Sequence, residues 1–302
     1  MINKQLSIDY IKQHARPLEK SLLGYYFNNE QSTSVIKELS KFQNEDGGFG
    51  KALEPDVRLT DSSVLATTIA FQKFRELNIP ASEEIVQKAC RYILNTYDNT
   101  NKIRLNVPAN VDDASHATWW NYNGDPEKFL GNPRVEIVAY FYDYPDLFPE
   151  NLKQGLTIEL LSHLNSLNGS IEMHDLLCYT RLVETKNLPI DIKNKMVEIL
   201  KPLVISTVAS NPSDWNNYGL TPLTIITSPE SMFYPELKSL VPANLEYLSK
   251  NQTTEGYWSP SWNWESVSKE DWAKAEKDLR GIITLNNLIL FQNFEEKNGS
   301  KN

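Results

Sequence analysis

The chain has little of what staples, anchors or extends a protein. Only two cysteines, Cys90 and Cys178, occur in 302 residues. Both fall inside runs of helical character, which leaves no disulfide framework and makes a reducing interior the expected setting. Twelve glycines and sixteen prolines are too few for a fibrous or low-complexity chain, and the 40% hydrophobic content is ordinary for a globular one. No lysine- or arginine-rich block occurs, and the net charge is −9. With a pI near 5.1, this excludes a nucleic-acid surface or an anionic-membrane anchor as the main partner. No run is long and apolar enough for an integral membrane segment, and Met1–Ser7 lacks the apolar core of a signal peptide. A soluble, cytoplasmic protein is the expectation.

What the chain does have is one kind of turn, used twice. The run Val35–Phe42 carries apolar residues at helical spacing. It gives way to Gln43-Asn44-Glu45-Asp46-Gly47-Gly48-Phe49-Gly50, where glycine supplies the positive φ of a tight reversal. A second helical run begins near Asp61-Ser62-Ser63. Towards the other end, Leu245–Leu248 leads into Gln252-Thr253-Thr254-Glu255-Gly256-Tyr257-Trp258 and then into a final apolar helix. Two such turns, each joining helices of similar character, point to a repeat architecture.

Apolar spacing predicts a helix over Ile8–Phe27, then others over Val64–Leu77, Glu83–Tyr97, Val135–Tyr144, Leu152–Leu164 and Met173–Val183. An outer, solvated helix follows over Ile192–Leu203, bent by Pro202. Gly219–Thr227 reads as a short inner helix and Pro235–Lys250 as an outer one. Ala273–Phe294 closes the chain, apolar nearly all round after Gly281. No strand is expected. Buried and amphipathic helices alternate, and closing such hairpins into a ring buries their continuous apolar face. The expected fold is all-α: an α/α toroid of helical hairpins with inner and outer rings, about eleven or twelve helices in one domain spanning 1–302.

In that topology the long connections lie at one end: Gln43–Thr60, Asp98–Gly131, Asn211–Asn217 and Asn251–Asp271. They hold Trp119, Trp120, Trp215, Trp258, Trp262 and Trp264, and Trp272 sits at a predicted helix start. Glu54, Asp56, Asp112, Asp113, Asp125, Asp214 and Glu265 share that end. Long loops on a rigid scaffold are where sites concentrate, so this is the expected functional face.

With both turns in view, the chain resembles the prenyltransferase and squalene-cyclase repeat superfamily, whose members are terpenoid-cyclase-type α/α toroids. The resemblance rests on Gln43-x-x-Asp46-Gly47-Gly48-Phe49-Gly50, on Gln252-x-x-Glu255-Gly256-Tyr257-Trp258, and on the helices flanking each. It implies a single toroid whose hollow holds an isoprenoid, with these turns bracing helices. Asn110-Val111-Asp112-Asp113 resembles the Asp-x-Asp-Asp acid of protonation-initiated cyclases, with asparagine in the first place. Asp112 then stands as proton donor, tuned by Asp113 and His116. The bland alternative is an Asn110 cap with acids in a first helical turn.

Protein prenyltransferases bind zinc through Asp, Cys and His, and His174, Asp175 and Cys178 invite that comparison. No third converging ligand is assured, so a packed histidine and a buried thiol are expected, with no metal and no cofactor. Glu54 and Asp56 are acid–base candidates beside Arg58, or members of a loop-stabilising ion pair. Trp258, Trp262 and Trp264 form an aromatic wall for a polyene or a sugar ring, or a plug. Three functions follow: an enzyme for an apolar, isoprenoid or lipid-like molecule; a carbohydrate-active enzyme using loop carboxylates and tryptophans; or a non-catalytic binding module.

Overall fold

The computed structural model describes residues 2–98, 105–122 and 131–299; Asp125 lies outside them. Thirteen α-helices run along the described chain. They begin with α1 (Lys4–His14), α2 (Pro17–Asn28), α3 (Ser32–Leu39), α4 (Val64–Glu76) and α5 (Glu84–Asn95). The middle holds α6 (Arg134–Asp143), α7 (Glu150–Ser166), α8 (Met173–Val183) and α9 (Ile190–Thr207). The end holds α10 (Pro222–Ile225), α11 (Tyr234–Leu237), α12 (Val241–Lys250) and the 31-residue α13 (Lys269–Gly299). No strand occurs among the described residues, only isolated β-bridges. The all-α reading holds.

Prolines account for where the helices differ from the sequence expectation. The helix expected over Ile8–Phe27 is two, because Pro17 starts α2 and has no N–H to continue α1. Pro235–Lys250 is likewise split into α11 and α12, with Pro242 in the first turn of the second. Only Pro222–Ile225 of Gly219–Thr227 is helical. Pro202 is carried inside α9. In α13, residues after Gly281 are not buried all round: Asn286 is exposed and Ile282, Ile283 and Ile289 are half-buried.

The chain divides into two compact units, one of residues 40–207 and the other of the segments on either side. The 40–207 unit is an array of three hairpins, α4–α5, α6–α7 and α8–α9. Their first members pack on one another, α4 on α6 and α6 on α8, while α7 packs on α9. Burial follows these two layers. Nine of the ten residues of α6 are buried, against four of eighteen in α9. The inner layer is held by rings as well as aliphatics. Phe71 of α4 stacks on Tyr140 of α6 at 4.5 Å, a contact worth about 1 kcal/mol beyond its buried area.

The Gln43 turn is a brace in this unit. The Gln43 side-chain amide donates to the Gly47 carbonyl (3.0 Å) and to the Ile85 carbonyl at the start of α5 (2.9 Å). The Phe49 N–H donates to the Thr67 hydroxyl on α4 (3.0 Å). Gly47 has φ +91°.

In the other unit α1 packs on α2 and α13, α2 on α3 and α13, and α10 on α12. The second turn repeats the bracing contacts of the first there. The Gln252 amide donates to the Asn3 carbonyl at the start of α1 (3.0 Å), and Gly256 also has φ +91°. The Trp258 N–H donates to the Thr284 hydroxyl on α13 (3.2 Å). Towards its turn α1 stands as α5 does towards the first, and α13 stands as α4 does.

Candidate functional site

The two loops singled out within residues 40–207 meet through their backbones. Val57 and His116 form an antiparallel bridge. The Arg58 N–H donates to the Ser115 carbonyl (2.9 Å) and the Ala117 N–H to the Asp56 carbonyl (2.8 Å). Beneath them Val57, Leu59, Leu65, Val107 and Val111 form an apolar cluster against which Ala114 and Trp120 pack. Glu54 accepts from the Asp56 N–H (3.2 Å), and Asp56 is buried. Glu54–Arg58 and Asp112–Trp120 are thus one structure.

Of its acids, Asp112 and Asp113 face water, whereas Asp56 is buried and Glu54 half-buried. Val111–Asp113 is a single 3-10 turn, and the Asn110 side chain does not cap it but donates to Asp61 (2.8 Å). The Asp112 side chain is 66% exposed and lies 3.3 Å from His116 Nε2. That nitrogen also meets Asn121 (3.0 Å), while Nδ1 meets the Ala114 carbonyl (2.8 Å). Asp113 is exposed, as is Trp119. An alkene-protonating acid needs a dry site, and Asp112 does not have one. Asp112→Asn is expected to change stability by no more than about 0.5 kcal/mol, read by urea unfolding, because exposed pairs contribute little.

A second constellation lies where the inner helices meet, and of its members the sequence singles out only Asp175 and Cys178, weighed as zinc ligands. Glu136 of α6 is nearly fully buried. It accepts from Gln72 on α4 (2.8 Å), Arg181 on α8 (2.6 Å) and the Tyr140 hydroxyl. Cys178 directs its thiol at Glu136 (3.8 Å) and Asn132 (3.6 Å). Burial, then the Glu136 charge, pushes that thiol well up, so it is a poor nucleophile. Next to this pair, Arg75 donates to Asp143 (2.8 Å), the Arg181 carbonyl (2.8 Å) and Thr185 (2.9 Å). The i, i+3 spacing of Asp175, Cys178 and Arg181 was the available signal, together with charges inside an otherwise apolar α6.

Asp175 is the carboxyl of this region whose acidity is most altered by its surroundings. Glu172 caps α8, accepting from the N–H groups of His174 (2.7 Å) and Asp175 (3.2 Å). This fixes the Asp175 carboxyl against the backbone of Gly131 and Asn132, where a Cβ built on Gly131 would overlap it. Burial, reinforced by the Glu172 charge and opposed by a hydrogen bond from the Asn132 backbone, pushes the carboxyl up to about 6. A carboxylic acid with that value can give and take a proton near neutrality. His174 turns to Glu172 instead (2.8 Å). No group of three or more His, Cys, Asp or Glu that could hold a metal occurs among the described residues.

The remaining tryptophans belong to the other unit. Trp215, Trp258 and Trp264 are buried core side chains. The indole N–H of Trp215 donates to Ala209 (2.7 Å) and that of Trp258 to Leu248 (2.8 Å). Trp264 packs edge-on against Trp272. Trp262 is half-buried and meets the exposed Tyr218 edge-on at 5.9 Å. Comparisons with protein-family models, curated proteins and solved structures found no match.

Proposed function

We propose that the protein is a small-molecule enzyme of the prenyltransferase and squalene-cyclase type, transferring protons to and from an isoprenoid or lipid-like substrate through Asp175. The family reading, and the closed α/α toroid that goes with it, are supported by the duplicated brace. Two turns far apart in sequence use the same glutamine, glycine and threonine contacts. The chemical reading is carried by one observation: the Asp175 carboxyl is half-buried against the backbone of Gly131 and Asn132, on the same helix as the Arg181 partner of Glu136. The proton-donor role expected of Asp112 passes to Asp175, because Asp112 is solvated.

In the proposed step the protonated Asp175 carboxyl donates to one carbon of a C=C bond, forming a C–H bond and a tertiary cation. Loss of a proton from a neighbouring carbon returns it to the Asp175 carboxylate. Acid and substrate composition are unchanged, so the reaction is an isomerisation or cyclisation needing no co-reactant. Glu136, Arg181 and Tyr140 hold α4, α6 and α8 in register around the acid.

Incubation with a panel of polyprenyl alcohols and diphosphates, followed by product analysis, tests this reading. Asp175→Asn is expected to lower turnover by about a hundredfold or more, and the wild-type rate should fall as pH rises through about 6. The variant must also be folded, and linkage supplies the check. Ionising Asp175 opposes folding above about pH 6 and is without cost below its ordinary value of 3.8. Asp175→Asn is therefore expected to raise the melting temperature at pH 8, with the gain fading towards pH 4. Substrates left unchanged by the wild-type protein would refute the substrate class. Full activity in Asp175→Asn would refute the acid.

A further inference from the structure

The two turns are alike in their bracing contacts and differ on one side, and that difference makes a pocket. At the first turn Gly48 lies flat on Tyr92 of α5. A Cβ built there would stand 2.6 Å from the Tyr92 ring and 2.6 Å from Ser62, and Tyr92 is buried. The brace contacts align Tyr10 of α1 with Tyr92, and Tyr257 with Gly48. At the second turn Tyr257 therefore stands where glycine closed the first. It rests on Tyr10 at 4.6 Å between ring centroids, and His14 continues the row at 5.0 Å from Tyr10. Beside this aromatic row is a pocket of about 620 Å3, a size suited to a small organic molecule.

Two further departures supply charge. Asp46 of the first turn is consumed by the turn itself, accepting from the Gly48 N–H (3.0 Å) and the Ser62 hydroxyl (2.7 Å). At the second turn Thr253 takes the equivalent N–H, that of Tyr257 (3.1 Å). Glu255, aligned with Asp46, is released to line the pocket, and Asp9 joins it from α1. The helix after the first turn starts at Val64, capped by Ser63. The one after the second starts at Lys269, well before the Thr284 contact. That extra length brings Lys277 and Arg280 to the pocket. Arg280 lies over the Tyr257 ring at 4.8 Å and is oriented by Glu276 (2.7 Å). Lys277 has no ion-pair partner among the described residues.

We infer that this pocket is a binding site, separate from Asp175, for a small aromatic zwitterion of the amino-acid type. The ring packs against the edges of Tyr257, Tyr10 and His14, whose faces are occupied by one another and by Arg280. The carboxylate is taken by Lys277 and Arg280, and the ammonium by Glu255 and Asp9. The site stands whether or not the proposed isoprenoid chemistry does, because it uses none of the same residues.

Three probes of one ring test it on the full chain by calorimetric or NMR titration: L-tryptophan, indole-3-propionate without the ammonium, and tryptamine without the carboxylate. L-tryptophan is expected to bind saturably, and each truncated probe about tenfold more weakly. Lys277→Gln, an exposed position that should leave folding intact, is expected to weaken L-tryptophan and indole-3-propionate about tenfold and leave tryptamine unchanged. Tyr257→Gly, which restores the residue type of the first turn, is expected to abolish binding of all three. Absence of saturable L-tryptophan binding overturns the inference. So does equal affinity for the three probes, or L-tryptophan binding that Lys277→Gln does not weaken.

Discussion

Gly47→Ala and Gly256→Ala are each expected to lower stability by about 3 kcal/mol. Both residues have φ +91°, a conformation that costs an L side chain energy before any contact is considered. Space adds to this. A Cβ at Gly47 would stand 2.8 Å from the Lys88 carbonyl carbon and closer still to its oxygen, and one at Gly256 would stand 2.5 Å from the Leu6 carbonyl carbon. These are backbone atoms of α5 and α1, so no rotamer change relieves them. The helix must move, and the Gln43 or Gln252 bridge to its first carbonyls is strained with it. Gly155 is the control: it sits inside α7 with nothing within 4 Å of an added Cβ. Gly155→Ala should therefore gain about 0.5 to 1 kcal/mol from helix propensity. Urea unfolding of the three variants measures the contrast. A Gly256→Ala loss much smaller than that of Gly47→Ala would mean that the second turn does not brace α1 as the first braces α5.

The braces were legible because their information is local: a glutamine, an acid and a glycine at fixed spacing after an amphipathic run. The alternation of helices in residues 40–207 was legible for the same reason, since burial of α4 and α6 and solvation of α9 are written in their periodicity. Breaks at Pro17 and between α11 and α12 were not read, although proline stood in plain sight, because the apolar stripe continues across them. The meeting of Glu54–Arg58 with Asp112–His116 was expected from their shared end. The exposure of Asp112 was not, since a two-residue match to a motif carries no burial. Glu136 escaped notice altogether. It lies in a run so apolar that its single charge reads as noise until Gln72, Tyr140, Cys178 and Arg181, from three helices, are found to converge on it. Which residues share a site depends on helix packing, and no sequence window contains that.

Arg181→Met is expected to cost about 3 kcal/mol, because it leaves the Glu136 carboxylate in the inner layer without its cation. The Glu136 side chain is 3% exposed and that of Arg181 is 37% exposed. Removing the arginine therefore strands the member that water cannot reach, whereas Glu136→Gln leaves a guanidinium that water can. Glu136→Gln should accordingly cost less, about 1 to 2 kcal/mol, and the double variant should be more stable than Arg181→Met alone. That ordering distinguishes an ion pair retained for its geometry from one that stabilises the fold outright. Buried pairs replaced together are often near neutral, while pairs broken singly are not. Register is what the pair controls here: Arg181 and Gln72 reach Glu136 from α8 and α4, and Asp175 lies two turns before Arg181 on α8. The double variant should then fold but hold Asp175 less firmly, lowering turnover on any isoprenoid substrate more than it lowers the melting temperature. Full activity in a double variant of near wild-type stability would remove the pair from the site and leave Asp175 to act alone.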